Sequence, residues 1–559
     1  MKNILLIKNI IVIVITLFIA IFIFKTAPYY EPREKFEEGV TRLVVDSKDI
    51  TNSIKNNVFV EDDVIMMPSS LAIKYFNIYV YYDEPYDTAI ITSATDVGKV
   101  KLGENRIYLN GNYESLKGTV KKINDVLYVP ISSLDKFYDA TVYFDEKVIV
   151  TTTDGWGRIH TVKVSEKEKL KSYKKELSRT TGIAEKDELL YLFDEQTISG
   201  DYIVARNERG DIGYIKLDKV KNNETVANLY TKPDEVKRKE KISLAWEYAE
   251  NFTPDRTGEA KIEGLNILSP TWLYLSKDYT LKTTTDSNYI RWARSRNYEL
   301  WPTLKNDGRS LEEVSKFVND MKARESFINE VTSYAVKNGF EGVNIDFEYM
   351  YKKDKDVFSE FVRELSADLR RNNIIVSVDV TVPGGSDNYS LCYDRPALAK
   401  AVDYMMLMAY DQYGTWCIGT EKHGPTASLE WVESNLETML GYEGVSKEKL
   451  VLCIPFYYRS WLVNKDTGKT KTTATYYIKG AKDILEKYKN IAVWDEVDGQ
   501  YYVETPEGTS IRKIWVESAE SLKKKLEAAK KYDLAGIAAW RLGYESSGEW
   551  KTINNEYMK

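Results

Sequence analysis

The chain has 559 residues, of which 43% are hydrophobic and 29% charged, and its formal net charge is −7. This composition is typical of folded protein, and the length allows about three or four domains. The acidic balance and the lack of a long basic run exclude nucleic acid as an expected partner. With two histidines and three cysteines without paired spacing, we expect no metal site, no disulfide framework and no cofactor.

The amino terminus is predicted to hold the chain in a membrane. An apolar run from Ile10 to Phe24 is interrupted only by Thr16 and has lysines on both sides. Extended back to Ile4, it is long enough to span a bilayer. A signal peptide is the alternative, but Lys25-Thr26-Ala27 is a poor cleavage site. We therefore expect a single-pass transmembrane signal-anchor at residues 1–25 and an extracytoplasmic remainder, with secretion as the alternative.

After a predicted juxtamembrane segment at residues 26–60, the chain contains an internal repeat. The stretch Asp63 to Pro68 returns as Asp125 to Pro130 at an offset of 62, and the residues that follow repeat at the same offset. A constant offset indicates a duplication. Each copy is predicted to fold as a strand, a short helix and two more strands. The repeat, at residues 61–155, resembles the amino-terminal domain of copper amine oxidases, and we expect a small α+β spacer domain that binds no copper.

The next segment, residues 160–225, shows short strands separated by turn signals. Examples are Leu189 to Phe193, Tyr202 to Arg206 and Gly213 to Lys216. It resembles a small bacterial Src-homology-type β-barrel.

The last segment, residues 236–559, alternates strands with helices. A clear amphipathic helix places Val357, Phe361 and Leu365 on one side. Eight strands in such an alternation predict a (β/α)8 TIM barrel, whose active site lies at the carboxyl ends of its strands. A long gap from Trp461 to Lys513 predicts a small α+β insertion. The expected strands are Ile242 to Trp246, Leu265 to Thr271, Glu299 to Leu304, Val343 to Glu348, Ile374 to Thr381, Tyr404 to Tyr410, Val451 to Tyr457 and Gly536 to Trp540.

The fourth of these strands contains the candidate catalytic residues. Asn344, Asp346 and Glu348 alternate with apolar residues, so the three polar side chains lie on one face. A solvated face is the ordinary explanation of such alternation, but a strand covered by helices has no solvated face. Two carboxylates on the inner face, at the carboxyl end of a barrel strand, indicate a catalytic site.

This stretch resembles the active-site strand of glycoside hydrolase family 18, whose pattern is D-x-x-D-x-D-x-E. The resemblance implies that Glu348 is the proton donor and that Asp346 orients the 2-acetamido group of the substrate. Glu341 and Asn344 stand where the pattern has Asp. The Asn344 departure is similar to the N-I-D-F-E variant of the spore-cortex and peptidoglycan-directed branch.

Other strand ends extend the resemblance. The sixth strand ends Met408-Ala409-Tyr410-Asp411, which implies that Tyr410 binds the acetamido group and Asp411 the sugar. Trp540 matches the tryptophan that floors the cleavage subsite. The segment from Ile454 to Trp461 resembles the family's seventh-strand segment, with Tyr458 where a glycine is commoner. Core packing is the common explanation of each residue alone, but the coinciding ends of the fourth, sixth, seventh and eighth strands favour a site. The predicted catalytic residues are Glu348, Asp346 and Tyr410, and the predicted substrate-binding residues are Asn344, Asp411, Met408, Trp540 and Tyr457.

The resemblance implies a retaining, substrate-assisted hydrolase of N-acetylglucosamine-containing polysaccharide. Peptidoglycan of the cell wall or spore cortex is the expected substrate. A chitinase or endo-N-acetylglucosaminidase is one alternative, and a non-catalytic glycan-binding protein on the same fold is the other. Because the amide of Asn344 carries no charge, Asp346 is predicted to stay ionised over a wider pH range.

Overall fold

The computed structural model describes residues 39–45, 48–138, 140–145, 147–151, 161–192, 198–207, 209–222, 240–306 and 308–559. These residues fall into two compact units, bounded by Met1–Ser93 with Gly98–Val236 and by Ala94–Val97 with Lys237–Lys559. In the described ranges no helix has the length and apolar character needed to cross a membrane. The signal-anchor predicted at residues 1–25 lies outside those ranges.

The first unit contains the repeat, built from short strands around a shared apolar core. Strand β4 of the first copy pairs antiparallel with β11 of the second, and Met67 lies opposite Val129, its own equivalent at the offset of 62. The two copies thus share one sheet and one apolar core. The elements are β1 (Arg42–Val45), β2 (Lys48–Asp49), β3 (Phe59–Glu61), β4 (Val64–Pro68), α1 (Ser69–Tyr75), β5 (Tyr79–Asp83), β6 (Thr88–Thr92), β7 (Val97–Lys101), β8 (Arg106–Leu109), β9 (Asn112–Ser115), β10 (Lys121–Ile123), β11 (Val126–Pro130), β12 (Thr141–Asp145) and β13 (Lys147–Thr151).

Two features of the repeat differ from the prediction. The second copy has a single 3-10 turn, Ile131–Ser133, where the first has α1. Ser133 and Asp135 replace Leu71 and Ile73 there, and serine and aspartate favour helix interiors less than leucine does. In addition, β1 pairs in parallel with β13, so the domain begins before the predicted start at residue 61 and includes part of the predicted juxtamembrane segment.

An antiparallel sheet with its own small core follows in the first unit. The short strands expected in this segment are present, and the described pairings run in the order β16-β15-β20-β19-β17-β14-β21. The resemblance to a Src-homology barrel stays a prediction. The strands are β14 (Thr161–Val164), β15 (Glu168–Lys171), β16 (Thr180–Ala184), β17 (Leu189–Leu192), β18 (Ile198–Ser199), β19 (Tyr202–Arg206), β20 (Ile212–Lys216) and β21 (Val220–Asn222).

The second unit is a (β/α)8 barrel, as predicted. Over residues 240–306 and 308–559, eight strands pair in parallel, and the first pairs with both the second and the eighth, which closes the barrel. The third strand is split in two, and β24 forms a hairpin with β23. The strands are β22 (Ile242–Glu247), β23 (Ile267–Leu275), β24 (Leu281–Thr283), β25 (Glu299–Leu300), β26 (Thr303–Lys305), β27 (Gly342–Asp346), β28 (Ile375–Thr381), β29 (Tyr404–Met408), β30 (Leu450–Pro455) and β36 (Gly536–Trp540).

Helices alternate with the barrel strands. The predicted amphipathic helix is α5, whose Phe358 and Phe361 rings pack on Phe347 at centroid distances of 5.9 and 5.5 Å. The three cysteines of the chain are buried free thiols. The helices of this unit are α2 (Ser287–Ser295), α3 (Leu311–Val318), α4 (Met321–Asn338), α5 (Lys355–Arg371), α6 (Arg395–Ala401), α7 (Leu429–Glu437), α8 (Ala481–Lys487), α9 (Ala519–Lys531) and α10 (Ser547–Ile553).

The predicted insertion lies between the seventh and eighth strands. It is a five-stranded antiparallel sheet in the order β32-β31-β35-β34-β33, together with α8. Tyr458, which stands where the family more often has glycine, is fully buried in its core and stacks on Tyr476. The strands are β31 (Tyr457–Asn464), β32 (Thr470–Tyr477), β33 (Val493–Asp495), β34 (Gln500–Glu507) and β35 (Ser510–Val516).

Candidate active site

The fourth strand, β27, sends its polar side chains into the barrel as the alternation predicts. Asn344 and Asp346 are 0% and 7% exposed, whereas Phe347 packs outward on α5. Glu341, at the start of the strand, accepts a hydrogen bond from the backbone N–H of Leu300 at 2.9 Å. Its carboxylate therefore connects two neighbouring strands at the amino-terminal end of β27.

Glu348 lies just beyond the end of β27 and is partly exposed. The side chain of Asn306 holds its backbone from both sides: Nδ2 donates to the Glu348 carbonyl at 2.8 Å, and Oδ1 accepts from the Glu348 N–H at 3.0 Å. One residue earlier, the Phe347 carbonyl accepts a hydrogen bond from the Tyr393 hydroxyl at 2.8 Å. These contacts fix the backbone that carries the Glu348 carboxylate. Sequence reasoning identified neither Asn306 nor Tyr393.

The sixth and seventh strands contribute a second group of side chains. Asp411 follows β29 and accepts hydrogen bonds from the Tyr457 hydroxyl at 2.7 Å and from Arg459 Nη2 at 2.9 Å. The ring of Tyr410 meets that of Tyr457 edge-on at 6.3 Å. Met408, at the end of β29, is 7% exposed. The structure thus brings Tyr410, Asp411 and Tyr457 together.

The two groups lie near each other at the same end of the barrel, because their charges act on the same two tyrosines. Burial raises the pKa of Tyr349, and the charges of Glu348 and Asp411 raise it further. The pKa of Tyr389 is raised by burial and then by the same two carboxylates. Since the charges of Glu348 and Asp411 both act on these two tyrosines, the ends of the fourth and sixth strands share a rim.

Trp540 ends the eighth strand and is partly exposed. Its ring lies 6.1 Å from that of Trp246, which is buried at the end of the first strand. The position suits the predicted platform beneath a sugar ring, because one face of an aromatic side chain can stay open while the other packs. The role itself stays a prediction.

Asn344 is held by hydrogen bonds inside the barrel. Its amide Nδ2 donates to Asp379 Oδ1 at 2.7 Å and to Ser377 Oγ at 3.0 Å, and its Oδ1 accepts from Trp246 Nε1 at 2.9 Å. The residue is fully buried and these hydrogen bonds are internal. Asn344 therefore organises the barrel interior, and its expected role in substrate binding stays a prediction.

Asp379, on the fifth strand, is the carboxylate that sequence reasoning missed. It is 2% exposed, and burial, followed by the charge of Asp346, holds its pKa well above the ordinary value. The prediction that Asp346 stays ionised over a wider pH range took no account of this carboxyl group. The alternation of Ser377, Asp379 and Thr381 with three valines is the signal that could have found it.

Lys305 was also missed. It ends β26, beside Asp346 in the strand pairing, and its side chain is 10% exposed. Its Nζ lies 3.2 Å from Glu250 Oε1, and its charge acts to lower the pKa of Asp379. Lys305 thus places a positive charge near the buried carboxyl group of Asp379.

Comparison with known proteins agrees with this geometry. Residues 275–545 match the profile described as glycosyl hydrolases family 18, and residues 44–152 match the copper amine oxidase N-terminal domain.

Two curated relatives come from Bacillus subtilis (strain 168). The uncharacterized glycosylase YvbX is 26% identical over 275 residues, which cover 47% of this chain and 76% of the relative. The cortical fragment-lytic enzyme is 21% identical over 257 residues, which cover 45% of this chain and 58% of that protein.

Among solved structures, the spore cortex-lytic enzyme SleL of Bacillus megaterium QM B1551 superposes with a TM-score of 0.50 at 18% identity. The superposition covers 62% of this chain and 77% of SleL, and at this identity it supports the fold alone. With the family profile and the barrel in agreement, the chain contains a family 18 glycosyl hydrolase domain, preceded by a copper amine oxidase N-terminal domain.

Proposed function

We propose that the barrel hydrolyses N-acetylglucosamine-containing glycan with retention of configuration and with help from the substrate. The observation that carries this proposal is the gathering of Asp346, Glu348, Tyr410 and Asp411 at one end of the barrel. Family 18 is among the glycosidases in which the substrate supplies the nucleophile, so a second nucleophilic carboxylate is not required.

In the first step Glu348 gives its proton to the glycosidic oxygen. The acetamido oxygen attacks the anomeric carbon as the glycosidic bond breaks, which leaves a cyclic oxazolinium ion on the sugar. Asp346 accepts a hydrogen bond from the acetamido nitrogen and balances its positive charge, and the Tyr410 hydroxyl donates to the carbonyl oxygen. In the second step the Glu348 carboxylate takes a proton from water, and the water oxygen attacks the anomeric carbon as the bond from that carbon to the acetamido oxygen breaks, which restores the acetamido group.

The preferred substrate is peptidoglycan of the cell wall or spore cortex. Support comes from the N-I-D-F-E form of the active-site strand and from a curated relative named a cortical fragment-lytic enzyme. A chitinase is the second candidate. It is favoured by Trp416, which is 55% exposed after the sixth strand and stacks on Tyr413 at 6.4 Å, since exposed aromatic rings serve chito-oligomers as platforms.

We also propose that residues 1–25 anchor the chain in the cell membrane, with the barrel on the extracytoplasmic side. The support is the apolar run from Ile10 to Phe24 and its flanking lysines. Secretion to the wall or the spore is the alternative.

Mass spectrometry of digests tests the proposed activity. Vegetative peptidoglycan, cortical peptidoglycan and chitin oligomers are each incubated with the purified chain and with the Glu348→Gln variant. Products ending in reducing N-acetylglucosamine, absent from the variant digests, are expected from peptidoglycan. Release from chitin oligomers alone would favour a chitinase, and binding of glycan without any product would make the domain a glycan-binding protein.

A further inference from the structure

Asp379 has no part in the mechanism proposed above, although it lies beside a residue that has. Strands β27 and β28 pair in register, with Asn344 beside Ser377 and Ile345 beside Val378. The next residues along the two strands are Asp346 and Asp379. Because neighbouring strands lie about 4.8 Å apart, the two carboxyl groups are adjacent inside the barrel.

One cation, Lys305, acts to lower the pKa of Asp379, and its Nζ also lies 3.2 Å from Glu250 Oε1. Burial and the charge of Asp346 outweigh it, because the pKa of Asp379 still lies well above its ordinary value. The direct polar contact, from Asn344 Nδ2 to Asp379 Oδ1 at 2.7 Å, comes from a neutral amide. The titratable and charged groups that face Asp379 are Asp346 and Glu348 from the fourth strand, Lys305 from the third, Tyr410 from the sixth, Cys453 from the seventh and Tyr393 from the loop after the fifth.

Two adjacent carboxyl groups in a buried site do not ionise together, because each charge opposes the other. Such a pair holds one proton between its members. Burial and the charge of Asp346 both raise the pKa of Asp379. Asp379, at 2% exposure against 7% for Asp346, is the member that keeps the proton.

We propose that Asp379 is a positioning residue that holds a proton beside Asp346, and that it thereby replaces, from the neighbouring strand, the carboxylate that the motif lacks at Asn344. The amide of Asn344 fixes one oxygen of Asp379, which leaves the protonated oxygen free to donate to Asp346. Asp346 then keeps a single, oriented negative charge. The effect of this arrangement on catalysis rests on the proposed function. The presence of the proton on Asp379 does not depend on that function.

Infrared spectroscopy of the full chain tests the proton directly, without glycan. The account predicts a band of a buried protonated carboxyl group at neutral pH that shifts when aspartate is labelled with ¹³C at the side-chain carboxyl. The band persists in Glu348→Gln and in the matched control Ser377→Ala, which alters the same hydrogen-bond network without removing a carboxyl. It disappears in Asp379→Asn. Absence of an aspartate band from the unsubstituted chain, or its persistence in Asp379→Asn, overturns the proposal.

The pH profile of kcat/KM tests the link to Asp346. Asp379→Asn keeps a donor beside Asp346, so the acid limb stays in place and kcat/KM stays within about threefold of the unsubstituted chain. Asp379→Leu removes the donor, which raises the pKa of Asp346, moves the acid limb to higher pH and lowers kcat about tenfold or more. An unmoved acid limb in the folded leucine variant overturns the proposal. A chain that shows the infrared band but cleaves no glycan contradicts the proposed function alone.

Discussion

Buried charges occur in two parts of the barrel domain, and the two parts use them differently. Between the helices, the fully buried Arg324 meets Glu364 at 3.1 Å, and Arg363 donates to Glu360 at 2.9 Å. Inside the barrel, Asp346 lies beside another carboxyl group, and the partner that touches Asp379 is an amide.

The difference separates structural charges from functional ones. An arginine partner compensates part of the cost of burying a carboxylate, and removing the arginine leaves the carboxylate without that compensation. The compensation is incomplete at Glu360, because burial still raises the pKa of that carboxyl group to about 7. Adjacent carboxyl groups oppose each other's ionisation and keep perturbed pKa values, a feature concentrated at functional sites. Substitutions in the inner group should therefore reduce activity, and substitutions in the outer pairs should reduce stability.

The largest expected effect is that of Glu348→Gln. The amide cannot give a proton to the glycosidic oxygen, so kcat should fall by about 10²- to 10⁴-fold. Thermal unfolding should be almost unchanged, because Glu348 is partly exposed. Glu341→Gln, on the same strand and far from the carboxyl end, is the matched control and should keep its activity. Equal kcat values for Glu348→Gln and the unsubstituted chain would show that Glu348 is not the general acid.

Arg324→Met should reduce stability and leave activity unchanged, the reverse of the effect expected for Glu348→Gln. It leaves Glu364 buried without its partner, and the free energy of unfolding should fall by about 3–5 kcal/mol. Activity per folded molecule should be retained. Chemical unfolding and active-site titration measure the two quantities. The double variant Arg324→Met with Glu364→Leu should recover part of the loss; a double variant less stable than the single one would show that the pair is not the cause.

Asp379→Asn should change how stability depends on pH. Because the pKa of Asp379 is raised in the folded chain, the native state keeps a proton that the unfolded chain has already released. Stability therefore falls as the pH rises from the unfolded pKa towards the folded one, by up to about 1.4 kcal/mol per pH unit. The asparagine variant lacks this proton, so its unfolding free energy should decline less steeply as the pH rises above the ordinary aspartate pKa of about 4. Parallel curves for the two proteins would indicate that Asp379 is ionised when folded.

The smallest effect is expected for Lys352→Met. Lys352 and Asp387 form an ion pair at 3.2 Å with side chains 52% and 67% exposed, and such surface pairs contribute about 0–1 kcal/mol. Neither stability nor kcat should change measurably. A loss comparable to that of Arg324→Met would erase the distinction between exposed and buried pairs.

The sequence contained much of this arrangement, but not all. Alternation on the fourth strand correctly predicted that Asn344 and Asp346 point into the barrel, because a side-chain period of two is a local property. The same alternation on the fifth strand holds Asp379, yet the register that places it beside Asp346 depends on how two strands pair. The side chain of Asn344 accepts a hydrogen bond from Trp246, which lies 98 positions away in the chain. A local sequence pattern cannot predict such a long-range contact.

The repeat likewise shows that local patterns do not predict which strands pair. A constant offset of 62 predicted a duplication and the strands of each copy. It did not predict that Met67 and Val129 lie opposite each other, or that β1 joins the sheet of the second copy. Both are long-range pairings selected by burial of apolar faces.

The measurement that tests the central claim most directly is proton NMR of the first sugar released, from fully N-acetylated glycan and from the same glycan after de-N-acetylation. The account predicts that the new reducing end appears as the β-anomer before mutarotation, because two displacements retain configuration. It also predicts no product from the de-N-acetylated glycan, which lacks the acetamido oxygen that attacks. Initial release of the α-anomer, or equal cleavage of both glycans, would contradict substrate-assisted catalysis by this barrel.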